Sequence, residues 1–258
     1  MKQTDMLEGD GLEMIIVFVN ASNAFGGGFY GSSPSLGDYE TYIVHDLVNY
    51  VDAKYRTIPD RDSRGIAGWG TGGYGANRLA FKHPDVFGVL VNVTGLNYEI
   101  MDAPFWDPML NSLRELPTNL NELALGPCVP NCFLRFLMIF AAEAAPNPEN
   151  PPFFLDMPVT MVDGKAQIVP EIAEKIDRLS ISNFVTVYLE QPVRLNAILL
   201  YQGANDPLIP QELYDGFDEL LTQNGIEHEY LSLPGGLHRV PYNPALEFMV
   251  KHLSSEMP

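Results

Sequence analysis

Gly68, Trp69, Gly70, Thr71 and Gly72 have the spacing of a G-x-S-x-G turn, with glycine where the serine would stand. In that frame a sharp strand-to-helix turn lifts a serine hydroxyl above a sheet. The flanking glycines tolerate the crowded backbone, and the helix N-terminus stabilises negative charge. Downstream, Asp206 sits in the Gly-Ala-Asn-Asp-Pro-Leu stretch 203–208 and His238 in the Pro-Gly-Gly-Leu-His-Arg stretch 234–239. That is the nucleophile, acid, base order of a hydrolytic triad, with the attacking atom missing. Thr71 is the adjacent hydroxyl, but the turn directs that side chain away from the position a base would address. Two plainer readings stay open: Asn-Asp-Pro is also turn chemistry, and His238 also fits a hydrogen-bonded loop histidine. A phosphate loop does not fit, because residues 68–73 contain no lysine and the chain carries a formal charge of −18.

The elements that must position these residues are readable from the apolar pattern. Residues 14–19 (MIIVFV) are a continuous apolar run, which predicts a strand buried on both faces of a parallel sheet. A Gly-rich loop follows over 25–37, and apolar residues at three- and four-residue spacing predict an amphipathic helix over 38–54 whose stripe covers the sheet. Residues 64–67 read as a second strand running through the glycine turn into a helix over 74–82. Further strands are expected at 86–93, 195–202 and 227–233, with helices over 211–224 and 243–253. This alternation predicts one α/β domain over 1–258, a mostly parallel sheet with helices on both faces. Residues 98–191 hold no clear strand and read as a helical cap inserted between strands. Within it the Phe-Leu-Arg-Phe-Leu-Met-Ile-Phe run 133–140 reads as core packing, with an acyl pocket as the alternative.

Several stretches together resemble a known family. Asp-Leu-Val 46–48, Tyr-Arg-Thr 55–57, Arg-Gly-Ile-Ala-Gly 64–68, Gly-Gly-Tyr-Gly-Ala 72–76, His-Pro-Asp-Val-Phe-Gly 83–88 and Pro-Asn-Pro-Glu-Asn-Pro-Pro-Phe 146–153 are similar, in order, to the esterase D and feruloyl-esterase-like branch of the α/β-hydrolases. The resemblance implies hydrolysis of carboxylic and thioester bonds by a Ser-His-Asp triad without cofactor or metal. It also implies Asp206 as the orienting acid, His238 as the general base and the Thr71 backbone amide as an oxyanion donor. Gly70 then occupies the nucleophile position, so the implied enzyme is silent. The alternatives are a weak esterase, using water activated by His238 and Asp206 or Thr71 as nucleophile, and a small-molecule-binding pseudoenzyme or truncated remnant. The family also has an early strand and His-Gly loop that nothing before residue 14 resembles. An unfilled strand position is therefore expected between the first two strands, with direct pairing, marginal stability, or a homodimer or strand-complementing chain as its consequence.

Composition excludes other classes. The chain has 258 residues, 46% of them hydrophobic, enough for a substantial core. With 15 Lys and Arg against 33 Asp and Glu, nucleic acid and anionic membranes are unsuitable partners. Cys128 and Cys132 lack a second ligand pair for zinc and read as free thiols. No signal peptide or membrane-length apolar run is visible, so a soluble cytoplasmic protein is expected.

Overall fold

The computed structural model describes residues 14–255, apart from Tyr98, Phe105, 125–127, Pro207 and 235–239. A short antiparallel pair, β1 (Ser32–Ser33) and β2 (Gly37–Asp38), precedes α1 (Tyr39–Thr41), a π-helical turn (Tyr42–Leu47) and α2 (Val48–Lys54). The first sheet strand, β3 (Gly65–Trp69), turns directly into α3 (Thr71–Lys82), and β4 (Val89–Val93) follows. The intervening region holds α4 (Trp106–Ser112), α5 (Leu120–Ala124), α6 (Cys128–Ala144), the hairpin strands β5 (Val159–Val162) and β6 (Lys165–Ile168), α7 (Pro170–Asp177) and α8 (Ile181–Glu190). The chain closes with β7 (Ala197–Gly203), α9 (Gln211–Gln223), β8 (Glu229–Leu233) and α10 (Asn243–His252).

The strands β3, β4, β7 and β8 form one parallel sheet in that spatial order. β4 and β7 are buried along their whole length, the profile of central parallel strands covered on both faces. Alternation of side chains divides their residues between two cores. Leu90, Ile198 and Leu200 join the cluster contributed by α3, α6, α8 and α9, whereas Val89, Val91, Val93, Leu199 and Tyr201 pack with Phe248 and Met249 of α10. The larger cluster continues into Met109, Leu134, Leu137, Phe140 and Ile172, so the inserted helices share the sheet's own core. Within it the run 133–140 does pack as core: Leu134, Leu137 and Met138 are all buried. The hairpin β5–β6 was not expected in this region; its strands are four residues each and partly exposed, too short to give a clear apolar signal.

Three expectations are corrected. Residues 14–19 form no strand: Ile15, Ile16, Val17 and Phe18 are 48%, 50%, 43% and 87% exposed, so neither face of the run is covered. An apolar run becomes a strand only where a ladder partner and a covering layer exist; among the described residues this one has no ladder partner and is covered only at its ends, Met14 and Val19. Direct pairing of 14–19 with β3 does not occur. The helix over 38–54 forms, but of its apolar stripe only Ile43 is buried; Tyr42 and Tyr50 stay exposed, so the stripe does not cover the sheet. Cys132 is disulfide-bonded and is no free thiol, and the side chain of Cys128 lies outside the described residues.

Candidate active site

The site begins at the join of β3 and α3. Trp69 ends the strand, Thr71 opens the helix, and the whole reversal falls on Gly70, at φ +56° and ψ −120°. Side-chain-bearing residues rarely adopt this backbone conformation, and where they do the strain is typically tied to a functional site. The turn is fixed from both sides: the Gly70 N–H donates to the Val93 carbonyl at 3.0 Å, and the Gly70 carbonyl accepts from the Tyr74 N–H at 3.2 Å. The Tyr74 bond closes the first helical turn, which leaves the N–H groups of Thr71, Gly72 and Gly73 without an acceptor within the helix, turned toward the helix N-terminus. Gly68 explains the rest of the glycine spacing. A Cβ there would lie inside the Gly72 carbonyl, because the chain folds back on itself within four residues.

The parallel register brings the strand ends to one edge. Trp69 lies beside Val93, Val93 beside Tyr201, and Gly203 beside Leu233, so the segments after β3, β4, β7 and β8 all leave from the same side. In open parallel sheets ligands bind along this carboxyl edge. Gly70 is buried and Thr71 half-buried there. Asp206 stands three residues beyond β7, only 6% exposed, and its Oδ1 accepts from the Leu208 N–H at 2.8 Å and the Ile209 N–H at 3.1 Å. One carboxylate oxygen therefore builds the turn, as Asn-Asp-Pro chemistry anticipated. His238 lies outside the described residues.

Beneath the turn is a buried polar network that the sequence reading missed. Asn92, in the middle of β4, is fully buried; its Oδ1 accepts from the Gly95 N–H at 2.9 Å and the Tyr214 hydroxyl at 2.8 Å. Its Nδ2 donates to the Gly73 carbonyl at 3.1 Å and to Asn97 Oδ1 at 2.8 Å, and Asn97 Oδ1 also accepts from Asn77 Nδ2 at 2.6 Å. The start of α3, the end of β4 and α9 are thereby tied into one frame. Burial pushes the Tyr214 phenol far above its ordinary range, so it stays a neutral donor. The one available signal was a polar residue interrupting Val-Leu-Val-Asn-Val 89–93. Thr94, at φ +46° and fully buried, continues the same strained edge.

Tyr30 is a second missed residue. It holds φ +62°, and its ring lies against the α3 backbone at Gly75, with its hydroxyl near Gly72. Burial raises its phenol above the ordinary value.

A cavity of about 430 Å³ opens elsewhere, at the other end of α3, lined by Ser32, Asp38, Glu40, Arg78, Lys82 and His83 among others. It belongs to an ion-pair cluster and not to the glycine turn. Arg78, almost fully buried, meets Glu143 at 2.5 Å and Glu40 at 3.6 Å, while Glu40 meets Lys82 at 2.5 Å and His83 at 2.9 Å. Burial alone would push the Glu40 carboxyl up. The hydrogen bonds from His83 and Lys82 and the charges of Lys82 and Arg78 outweigh it and hold the group at about 2. The described residues contain no group of three or more His, Cys, Asp or Glu side chains placed to hold a metal, and none of their helices is long and apolar enough to cross a membrane.

Among solved structures, the substrate-bound fluorophosphonate-binding serine hydrolase F (FphF) of Staphylococcus aureus superposes with a TM-score of 0.51 at 16% identity. The match covers 86% of this chain and 68% of that one. The S-formylglutathione hydrolase FrmB of Staphylococcus aureus gives 0.50 at 17%, covering 90% and 69%. The fold is that of the α/β-hydrolases. Residues 12–122 match the Esterase family model, described as "Putative esterase", and no curated protein sequence matches the chain. A CE1 ferulic acid esterase of Anaeromyces mucronatus matches at a TM-score of 0.43 and 14% identity, over 82% of this chain and 51% of its own length, so the chain spans about half of that structure.

Proposed function

We propose that this α/β-hydrolase fold carries the site of a carboxylic-ester hydrolase that is catalytically silent because Gly70 occupies the nucleophile position. The observation that carries the reading is the backbone of Gly70, held at φ +56° and ψ −120° between β3 and the N-terminus of α3. In this reading the Thr71 amide is the oxyanion donor, Asp206 the orienting acid and His238 the base, and the carboxyl edge of the sheet binds a small ester or its carboxylate product. The match of residues 12–122 to the esterase model supports the ester class. Without an attacking atom at position 70, the route to a covalent acyl intermediate is closed.

The test is Gly70→Ser. The unmodified protein should neither hydrolyse short-chain activated esters above background nor react with a fluorophosphonate probe, and the serine variant should do both. Esterase activity in the unmodified protein that His238→Ala abolishes would overturn silence. Thr71→Ala would then separate a threonine nucleophile, whose activity is lost, from water activated by His238 and Asp206, whose activity survives.

A further inference from the structure

The sheet and the apolar run 14–19 leave two matching features unsatisfied. Among the described residues β3 is an end strand, paired with β4 alone. The Gly70 N–H donates to Val93 and the Arg64 carbonyl accepts from Gly88, both toward β4. Because backbone groups alternate along a strand, those of Gly65 and Ala67 point the other way, off the outer edge. No backbone acceptor or donor among the described residues meets them there, and Ala67 is exposed. The second feature is the run 14–19, of nearly the same length, uncharged, free of proline and β-branched at four of six positions. Its residues make no backbone hydrogen bond among the described residues. Its ends are anchored, Met14 on the cluster around α10 and Val19 on the cluster of Ile43, Leu79 and Phe87, while Ile15, Ile16, Val17 and Phe18 between them are exposed on both faces.

We infer that two copies of this chain associate by strand exchange, residues 14–19 of each adding to the outer edge of β3 in the other. Among the described residues each copy contributes one unpaired run and one open edge segment at Gly65 and Ala67, so a two-fold pair satisfies both. The covering side chains are supplied by the same step, since the incoming run brings apolar residues to both faces of the sheet. A second copy fits better than a charged partner, because both the run and the edge segment Gly-Ile-Ala-Gly 65–68 carry no charge in a chain of net −18.

The experiment is sedimentation of the full chain across a micromolar concentration series. A dimer is expected. The double variant Ile16→Lys and Phe18→Lys removes the donor run, and Ala67→Pro removes the outward N–H of β3 without touching its bonds to β4. Each variant alone should be a monomer, its affinity for itself lowered at least tenfold, and an equimolar mixture of the two should form a heterodimer through the one intact pair of surfaces. If Ala67→Pro does not fold, amide exchange in the unmodified protein decides the matter: Ala67 should be slowed with rising concentration. A monomer at every concentration, a dimer indifferent to both variants, or open-ended polymers would overturn the closed pair. None of these outcomes depends on Gly70 or on ester hydrolysis.

Discussion

The ring of Tyr30 lies against the backbone of Gly75, so close that a single added methyl group at position 75 would overlap Cδ2 of the ring. Tyr30 is already held at φ +62°, and it packs against the cluster of Ile43, Leu79 and Phe87, so neither backbone nor ring is free to withdraw. Gly75→Ala would gain about 1 kcal/mol of helix propensity but overpack the contact at a cost of about 1–3 kcal/mol or more. We expect net destabilisation in chemical denaturation. Gly216, in the middle of α9 with open space around it, is the control: Gly216→Ala should stabilise by about 0.5–1 kcal/mol.

The ion cluster around Glu40 makes stability depend on acid. The folded carboxyl titrates at about 2 against 4.5 in an ordinary glutamate, so its contribution is fully present above 4.5 and is lost as pH falls from there toward 2. Glu40→Gln removes that contribution and leaves Lys82, His83 and one side of the buried Arg78 without their anion. Denaturation at neutral pH should show the variant weaker by about 1–3 kcal/mol. The gap between the two proteins should narrow below pH 4.5; a constant gap down to pH 2 would contradict the ion-pair account.

Asn92 holds four polar groups that cannot reach water. Asn92→Leu would take from the Tyr214 hydroxyl and from Asn97 their buried partner, and from the Gly73 carbonyl and the Gly95 N–H, which also donates to Tyr214, one of their bonds, with an expected loss of about 2 kcal/mol or more. Combined with Gly70→Ser, the same change should lower fluorophosphonate labelling of the folded protein, because the start of α3 is hung on this network.

Gly70→Ser should also be costly in itself. A serine at φ +56° and ψ −120° stores about 1–3 kcal/mol of backbone strain, so the variant is expected to unfold at lower denaturant concentration while gaining reactivity. Equal or greater stability would mean that the turn relaxes on substitution, and the proposed nucleophile position would be lost with it.

The disulfide at Cys132 bears on where the protein works, since cytoplasmic thiols are kept reduced. Intact-mass measurement of protein alkylated during lysis distinguishes the settings. Two alkylated cysteines fit the cytoplasmic location read from the sequence, and none fits an oxidising compartment.

What the sequence determined by itself was local. The apolar runs ending at Val93 and Gly203 specify buried parallel strands because both faces must be covered, and the glycines at 68 and 70 specify a reversal that other residues would crowd or strain. Asp206 beside a proline was likewise readable as a turn. What only the tertiary structure decided was whether each local preference finds a partner. Residues 14–19 have the composition of a central strand and remain unpaired among the described residues, because a strand is completed by a ladder that its own sequence cannot supply. Asn92, hidden in an apolar run, and Glu40, on a helix of mixed character, acquire their roles from Tyr214 and Arg78, residues distant in the chain that packing brings within hydrogen-bond or ion-pair reach.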